Sequence, residues 1–265
     1  MVFSESKLFK LNDKQQYWLD FLWTMTEKEI KARYKNAGLG FAWMIINPIL
    51  QMFVIGAVFQ FFMPVKTENY FLFLFVGLLI WNFFSSSLNQ ITPVFVHQRF
   101  LLQKANFPRE ILVLSIVAAN LFHLLISFVL LYLFVAVWQH VIFINLLLLL
   151  LAIICLVIFT SGLGLLVSSL NIRFRDVSFI MQASLPLGFY LTPIIYSQNV
   201  IPEFIRWVLF LNPLSLVVVM MRNIFFISNS APEPIWMFSL LSASLFFIVG
   251  FYIFYKDSKN FSDYV

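Results

Sequence analysis

Four basic side chains, Lys28, Lys31, Arg33 and Lys35, crowd the approach to "NAGLGFAWMIINPIL", where Gly38 and Gly40 precede an apolar segment broken by Pro48. Cations so placed bind anionic oxygens, and arginine adds a planar fork that grips a phosphate through two parallel bonds. A plain basic anchor at a membrane surface fits the same four residues. Other chemistry is poorly supported. His97, His123 and His140 contain no His-x-x-x-His pair, and no acidic residue interrupts an apolar run. Metal ligation and acid–base catalysis need converging groups, so neither a metal site nor an intramembrane enzyme is expected. His123 reads instead as a packed or hydrogen-bonded polar group. Cys155, the single cysteine, reads as a small buried hydrophobe.

The elements that must position these residues follow from composition. Of 265 residues, 62% are hydrophobic and 11% charged. A soluble domain carries about a quarter charged residues, so lipid is the main solvent here. The apolar runs are continuous, which excludes the alternating strands of a membrane barrel. The expected fold is an all-α polytopic membrane protein with six spans, at about 39–63, 71–91, 111–137, 146–170, 179–196 and 236–255. The chain reads as one membrane domain, 1–265: an interfacial part to about 38, spans over 39–256 and a tail over 257–265. No cleavable signal is expected at the polar, mixed-charge N-terminus. Of the 17 Lys and Arg residues, 14 fall in the N-terminal segment, the second and fourth connections and the tail. The positive-inside rule then places both termini in the cytoplasm. An ion-coupled transporter is disfavoured, because ionisable groups within the spans are confined to His123.

Three connections deserve separate readings. Between 196 and 236 the apolar pieces 204–211 and 214–221 are each too short to cross, and a re-entrant helix pair turning at Asn212-Pro213 is expected. Upstream of Gly38, helical winding puts Trp18, Phe21, Leu22, Met25 and Ala32 on one face. Asp20, Glu27, Lys28, Lys31 and Lys35 fall on the other, as on a helix lying in the interface. In the second connection one short helix is expected before Pro108, with Phe100, Leu101 and Leu102 exposed as a docking surface. The fourth connection packs Arg173, Arg175 and Asp176 into a tight turn with a local ion pair.

Six stretches, in order from about Lys28 to Val265, resemble ABC-2 type permeases that export polysaccharides: "RYKNAGLGFAWMIINPIL", "LQKANFPREIL", "NIRFRDV", "TPIIYSQNVIPEF", "NPLSLVVVMMR" and "YKDSKNFSDYV". The resemblance leans to O-antigen exporters of the bacterial inner membrane. Teichoic-acid, capsule, drug and small-lipid exporters are the alternatives. The chain lacks a phosphate loop ending in Lys-Ser or Lys-Thr, so ATP and Mg would belong to a partner. The resemblance implies a homodimer with two ABC ATPase subunits, moving a lipid-pyrophosphate-linked glycan among membrane lipids, without nucleic acid and without a cofactor of its own. It also implies that Gln98, Arg99, Phe100, Leu101, Leu102, Lys104, Asn106, Phe107, Pro108 and Arg109 couple to the ATPase. Lys31, Arg33, Lys35, Arg173, Arg175 and Asp176 would form the headgroup site and cytoplasmic gate. Phe53, Phe59, Phe62, Trp81, Phe83, Phe84, Tyr190 and Tyr196 are candidates for rings that line a sugar path.

Overall fold

Lipid offers no water to an open backbone, so apolar runs close their hydrogen bonds within themselves as helices. The computed structural model describes residues 13–35, 38–62, 69–104, 107–139, 145–207, 212–227, 233–258 and 261, and among them every regular element is helical. In chain order these are α1 (Asp13–Tyr34), α2 (Trp43–Phe62), α3 (Tyr70–Ile91), α4 (Val94–His97), α5 (Arg99–Lys104), α6 (Glu110–Gln139), α7 (Leu146–Arg173), α8 (Asp176–Leu191), α9 (Glu203–Arg206), α10 (Pro213–Arg222) and α11 (Glu233–Ser258). Helices α3, α6, α7 and α11 are long and apolar enough to cross a membrane, and shorter apolar stretches occupy 45–61 and 213–225.

Local chemistry sets the boundaries. Gly40, in the left-handed region at φ +50°, begins a short 3-10 turn into α2. This turn forms an elbow at the start of α2, in a backbone conformation that glycine adopts without side-chain strain. Asn145 caps α7 by accepting from the Leu148 N–H at 3.1 Å. Asn212 does the same for α10 through the Leu214 N–H, with Pro213 in the first turn. Every residue of α10 is buried. The first limb of the expected pair is helical only at α9, and residues 208–211 lie outside the described residues. The span expected over 179–196 is shorter than foreseen: α8 stops at Leu191, and Pro193 just beyond cannot supply a helical N–H. The second connection forms two short helices, α4 and α5, where one was expected.

Helix α3 lies innermost, contributing a continuous buried run from Phe73 to Trp81. Helix α11 lies outermost; only 22% of its apolar window is buried, so most of its surface is left for lipid. Its bond to the bundle is a close backbone approach to α7. A Cβ on Gly250 would overlap the Gly162 carbonyl, and one on Gly162 would overlap the backbone at Phe247. Small residues let membrane helices touch in this way, where burial from water supplies no driving force. At the other end of the bundle Gly77 leaves room for Arg222, whose Nη2 would lie 2.8 Å from an added Cβ.

Gly250→Leu is expected to wedge α11 off α7 and destabilise the fold by about 3 kcal/mol or more, the upper range for overpacking. Gly38→Ala, with nothing within 4 Å of the new methyl, should change little. Thermal unfolding of the two purified variants in detergent checks the contrast.

Candidate functional site

A polar cavity of about 430 Å³ opens between α1, α2, α3 and α6. Its polar side chains come at helical spacing. Asn82, Ser86 and Gln90 descend α3, Asn120, His123 and Ser127 line α6, and Asn47 comes from α2. Trp43, Pro48, Leu79, Phe83 and Leu124 form the apolar part of the wall. Beside the cavity, Asn82 donates to Gln51 Oε1 at 2.9 Å, tying α3 to α2. The single cation in the lining is Arg33, at the end of α1. Its Nη2 donates to Asn120 Oδ1 at 2.7 Å, and its Nη1 lies 2.7 Å from His123 Nδ1. His123 is thus the hydrogen-bonded group expected, with a partner that its position in a span does not reveal.

The cations Lys31, Arg33 and Lys35 do not converge. On a helix, residues two apart point nearly opposite ways. All three are exposed: Lys31 pairs with Glu27, Lys35 points away, and Arg33 alone reaches polar groups of α6 while keeping much of its surface open. The two faces of α1 otherwise follow the expected division. Trp18, Phe21 and Met25 pack on the core, while Asp20, Glu27 and Lys28 are exposed; Ala32 is an exception, being exposed too. Helix α1 runs lengthwise on α6, from Phe21 against Phe107 (5.0 Å between ring centroids) to Arg33 against His123.

At the α4–α5 end, the expected trio of exposed apolar groups reduces to one. Phe100 is exposed, with the Arg99 guanidinium 5.0 Å from its ring centroid. Leu101 packs partly on the core, and Leu102 is buried. A helix cannot expose three consecutive residues while packing on anything, and Leu102 lies 200° around from Phe100. Phe107 is buried, while Gln98, Pro108 and Arg109 are half-buried. Asn106 and the Lys104 side chain lie outside the described residues. Phe261 packs over this end. Phe261 is fully buried against Phe95 and Phe254, with the Arg109 guanidinium 5.4 Å from its ring centroid. Arg173 pairs with Asp257 on α11 at 2.8 Å, so the ion pair expected within the turn runs between helices. Asp176 opens α8 and Arg175 is its N-cap residue; Asn171 Oδ1 holds the turn by accepting from Ser178 N and Oγ.

The family follows from most of the chain. ABC-2 type transporters match it over residues 20–226, from within α1 to the turn after α10. The chain belongs to the ABC-2 type transporter family. Two O-antigen export system permease proteins RfbA of Klebsiella pneumoniae are each 32% identical over 259 residues, covering 93% of this chain and 95% of the relative. A protein of the same name from Myxococcus xanthus is 33% identical over 186 residues, 68% of this chain and 69% of its own. An ABC-2 protein is a membrane-embedded transport subunit.

The aromatic candidates of this permease fall into distinct groups. Trp81 and Phe84 are core residues, Trp81 against Phe189 at 5.5 Å and Phe84 stacked on Phe159 at 5.5 Å. Phe83 borders the polar cavity, Phe59 packs partly on the core, and Phe53 and Tyr190 face outward. Tyr196 is half-buried and its hydroxyl donates to the Tyr190 carbonyl at 3.0 Å. The Phe62 side chain lies outside the described residues.

One residue with a decisive place was missed. Arg222, counted with the third, outward-facing set of cations, is 4% exposed. Its Nε donates to the Phe73 carbonyl at 3.3 Å, Nη2 to Ile194 O at 2.6 Å, and Nη1 to Pro193 O and, at 3.4 Å, to Tyr196 O. Its guanidinium carbon also lies 3.4 Å from the Phe73 ring centroid. Arg222→Ala is expected to leave those carbonyls unpaired and lower stability by about 3 kcal/mol, the order seen when one member of a buried charged set is removed. Arg222→Lys, which lacks the fork needed to reach both segments, should recover less than half. Thermal unfolding and the yield of monodisperse protein read both.

Proposed function

We propose that this chain is the permease of an ABC exporter that carries a lipid-linked polysaccharide, O-antigen in the first instance, out of the cytoplasm. The carrying observation is its likeness to O-antigen permeases along 93% of its length. In this reading the active unit is a homodimer with two ATPase subunits in the inner membrane. The chain crosses six times, counting α2 and α8, with α9 and α10 re-entrant at Asn212-Pro213 and both termini cytoplasmic. Residues 1–265 form one transmembrane domain.

The α4–α5 end supplies the grip. Phe100 and Arg99 project, while Phe95, Leu102 and Phe107 anchor the loop beneath them. Pressure on the projecting pair would pass through the Phe261 contacts to α11 and through Phe107 to α1. Arg173, Arg175 and Asp176 would meet the pyrophosphate headgroup near this end, and the exposed Lys31 and Lys35 would draw it on along α1. The outward rings of α2 and α8, such as Phe53 and Tyr190, would offer flat faces to sugars if a second copy closes the path.

Deleting the gene should abolish surface glycan while lipid-linked glycan accumulates on the inner leaflet, with the intact gene restoring display. Normal glycan display in the deletion strain sinks the reading and leaves the drug or small-lipid alternative. Within the complex, Phe100→Ala should weaken capture of the ATPase subunit by about tenfold, the cost of a modest interface anchor. Pull-down of the ATPase by tagged permease measures this.

A further inference from the structure

Arg33 is charge-bearing but paired only with neutral groups. Asn120 contributes a carbonyl oxygen, and its own Nδ2 donates to Ile116 O at 3.0 Å, which aims Oδ1 at the guanidinium. An imidazole that accepts at Nδ1 is the neutral tautomer, carrying its proton on Nε2. Among the described residues neither ion pair involves Arg33. A guanidinium has five N–H donors, and two bonds leave most of them free at the wall of the cavity. Asn120 and His123 lie some 15–20 Å along α6 from its first residue, at helical rise. Arg33 is exposed, so its guanidinium is open to whatever enters the cavity, and with no carboxylate paired to it among the described residues it attracts an anion.

The cavity is large enough for a substantial one. At about 30 Å³ per water, its 430 Å³ corresponds to roughly a dozen waters. Asn47, Asn82, Ser86 and Gln90 add amide and hydroxyl groups suited to phosphate oxygens, whereas Trp43, Pro48 and Leu79 suit the hydrocarbon next to a headgroup. No carboxylate lines it to repel an anion.

We propose that this cavity seats the diphosphate of the lipid-linked cargo, and that the diphosphate takes Arg33 away from Asn120 and His123, freeing the end of α1 from α6. This rests on the glycan-export reading above. The exchange is favourable because charge-assisted, bidentate bonds to phosphate are roughly twice as strong as bonds to neutral acceptors. Release stays local. Trp18, Phe21 and Met25 hold the first half of α1 on the core, while the elbow beyond Arg33 contains Gly38 and Gly40, both with open space where a side chain would stand. Arg33 is then a binding residue, and Asn120 and His123 are positioning residues that compete with the ligand for it.

Competition gives the test an unusual sign. The permease–ATPase complex in phosphatidylcholine nanodiscs is titrated with farnesyl diphosphate. Spin labels at Ala32→Cys and Leu125→Cys, both exposed and uncharged positions, follow α1 against α6, and monodisperse elution serves as the folding check. Farnesyl diphosphate is expected to lengthen the label distance. Arg33→Gln should weaken binding at least tenfold, with Arg33→Lys between it and the parent. Asn120→Ala should tighten binding severalfold, because it removes a competitor; a residue that merely supports the fold would weaken it. Inorganic diphosphate should displace the probe, whereas farnesol should not bind. Unchanged binding in Arg33→Gln, or weaker binding in Asn120→Ala, overturns the proposal. Label movement on adding phosphatidylglycerol alone overturns it in favour of a general lipid surface. If Arg33→Gln restores full glycan display to the deletion strain, this inference fails and the export reading stands. If farnesyl diphosphate binds as expected but deletion leaves display normal, the site stands and the export reading fails.

Discussion

A guanidinium removed from water must find oxygen, and Arg222 finds it in two separate pieces of chain. Carbonyls of Phe73 and of Pro193, Ile194 and Tyr196 surround it. Those pieces are the start of α3 and the turn where the chain leaves α8, both gathered at the end of α10. The interaction solves two difficulties at once. Breaking a helix at Thr192-Pro193 leaves carbonyls without helical donors, and burying an arginine leaves donors without acceptors. Each is the other's remedy. Around this point the minor contacts agree: Tyr70 donates to Ile195 O at 2.9 Å, Asn212 Nδ2 to Thr192 Oγ1 at 3.1 Å, and Gly77 stays small to admit the side chain. A ten-residue helix that cannot cross a membrane is thereby fixed inside the bundle.

The arginine at the end of α1 is built on a different principle. Arg222 is enclosed, with its donors committed to backbone oxygens that cannot leave. Arg33 lies at an open cavity with one amide and one imidazole for partners. Enclosure and multiple fixed acceptors make a structural joint. An open wall, few acceptors and no counter-charge make a place that a ligand can enter. The difference is one of coordination, and the residue type alone does not carry it.

That distinction explains which parts of the protein were legible in its sequence. Helices α3, α6, α7 and α11 follow from apolar runs of the right length, a signal that depends on the solvent and hardly on tertiary context. The break at Gly38 and Gly40 is local chemistry and was readable, while Asn212-Pro213, expected as a re-entrant turn, is seen as the N-terminal cap of α10. Arg222 was not readable, because charge counting treats a cation between spans as solvated, and only folding shows that its neighbours are orphan carbonyls. The grouping of Lys31, Arg33 and Lys35 ignored helical geometry, in which alternate residues diverge. The signal for Arg33's true surroundings was present. Asn82, Ser86 and Gln90 recur every four residues, and Asn120, His123 and Ser127 at three and four. Polar stripes on apolar helices have to face something other than lipid. Arg173 with Asp257, and Phe261 with Phe95, were beyond reach because they join residues far apart in the chain.

The two sides of the bundle are consequently held with unequal firmness. Helices α7 and α11 share a backbone contact at Gly162 and Gly250, an ion pair at Arg173 and Asp257, and the buried ring of Phe261, so they move as one body. At its far end α1 is fastened by Arg33 and runs into an elbow of two glycines with nothing packed against them. Force applied at Phe100 reaches the firm body through Phe95 and Phe261 and the loosely fastened helix through Phe107 and Phe21. Packed interfaces resist continuous deformation, so displacement collects where the packing is thinnest. In this fold that place is the junction of α1 and α2, beside the cavity that holds the unneutralised charge.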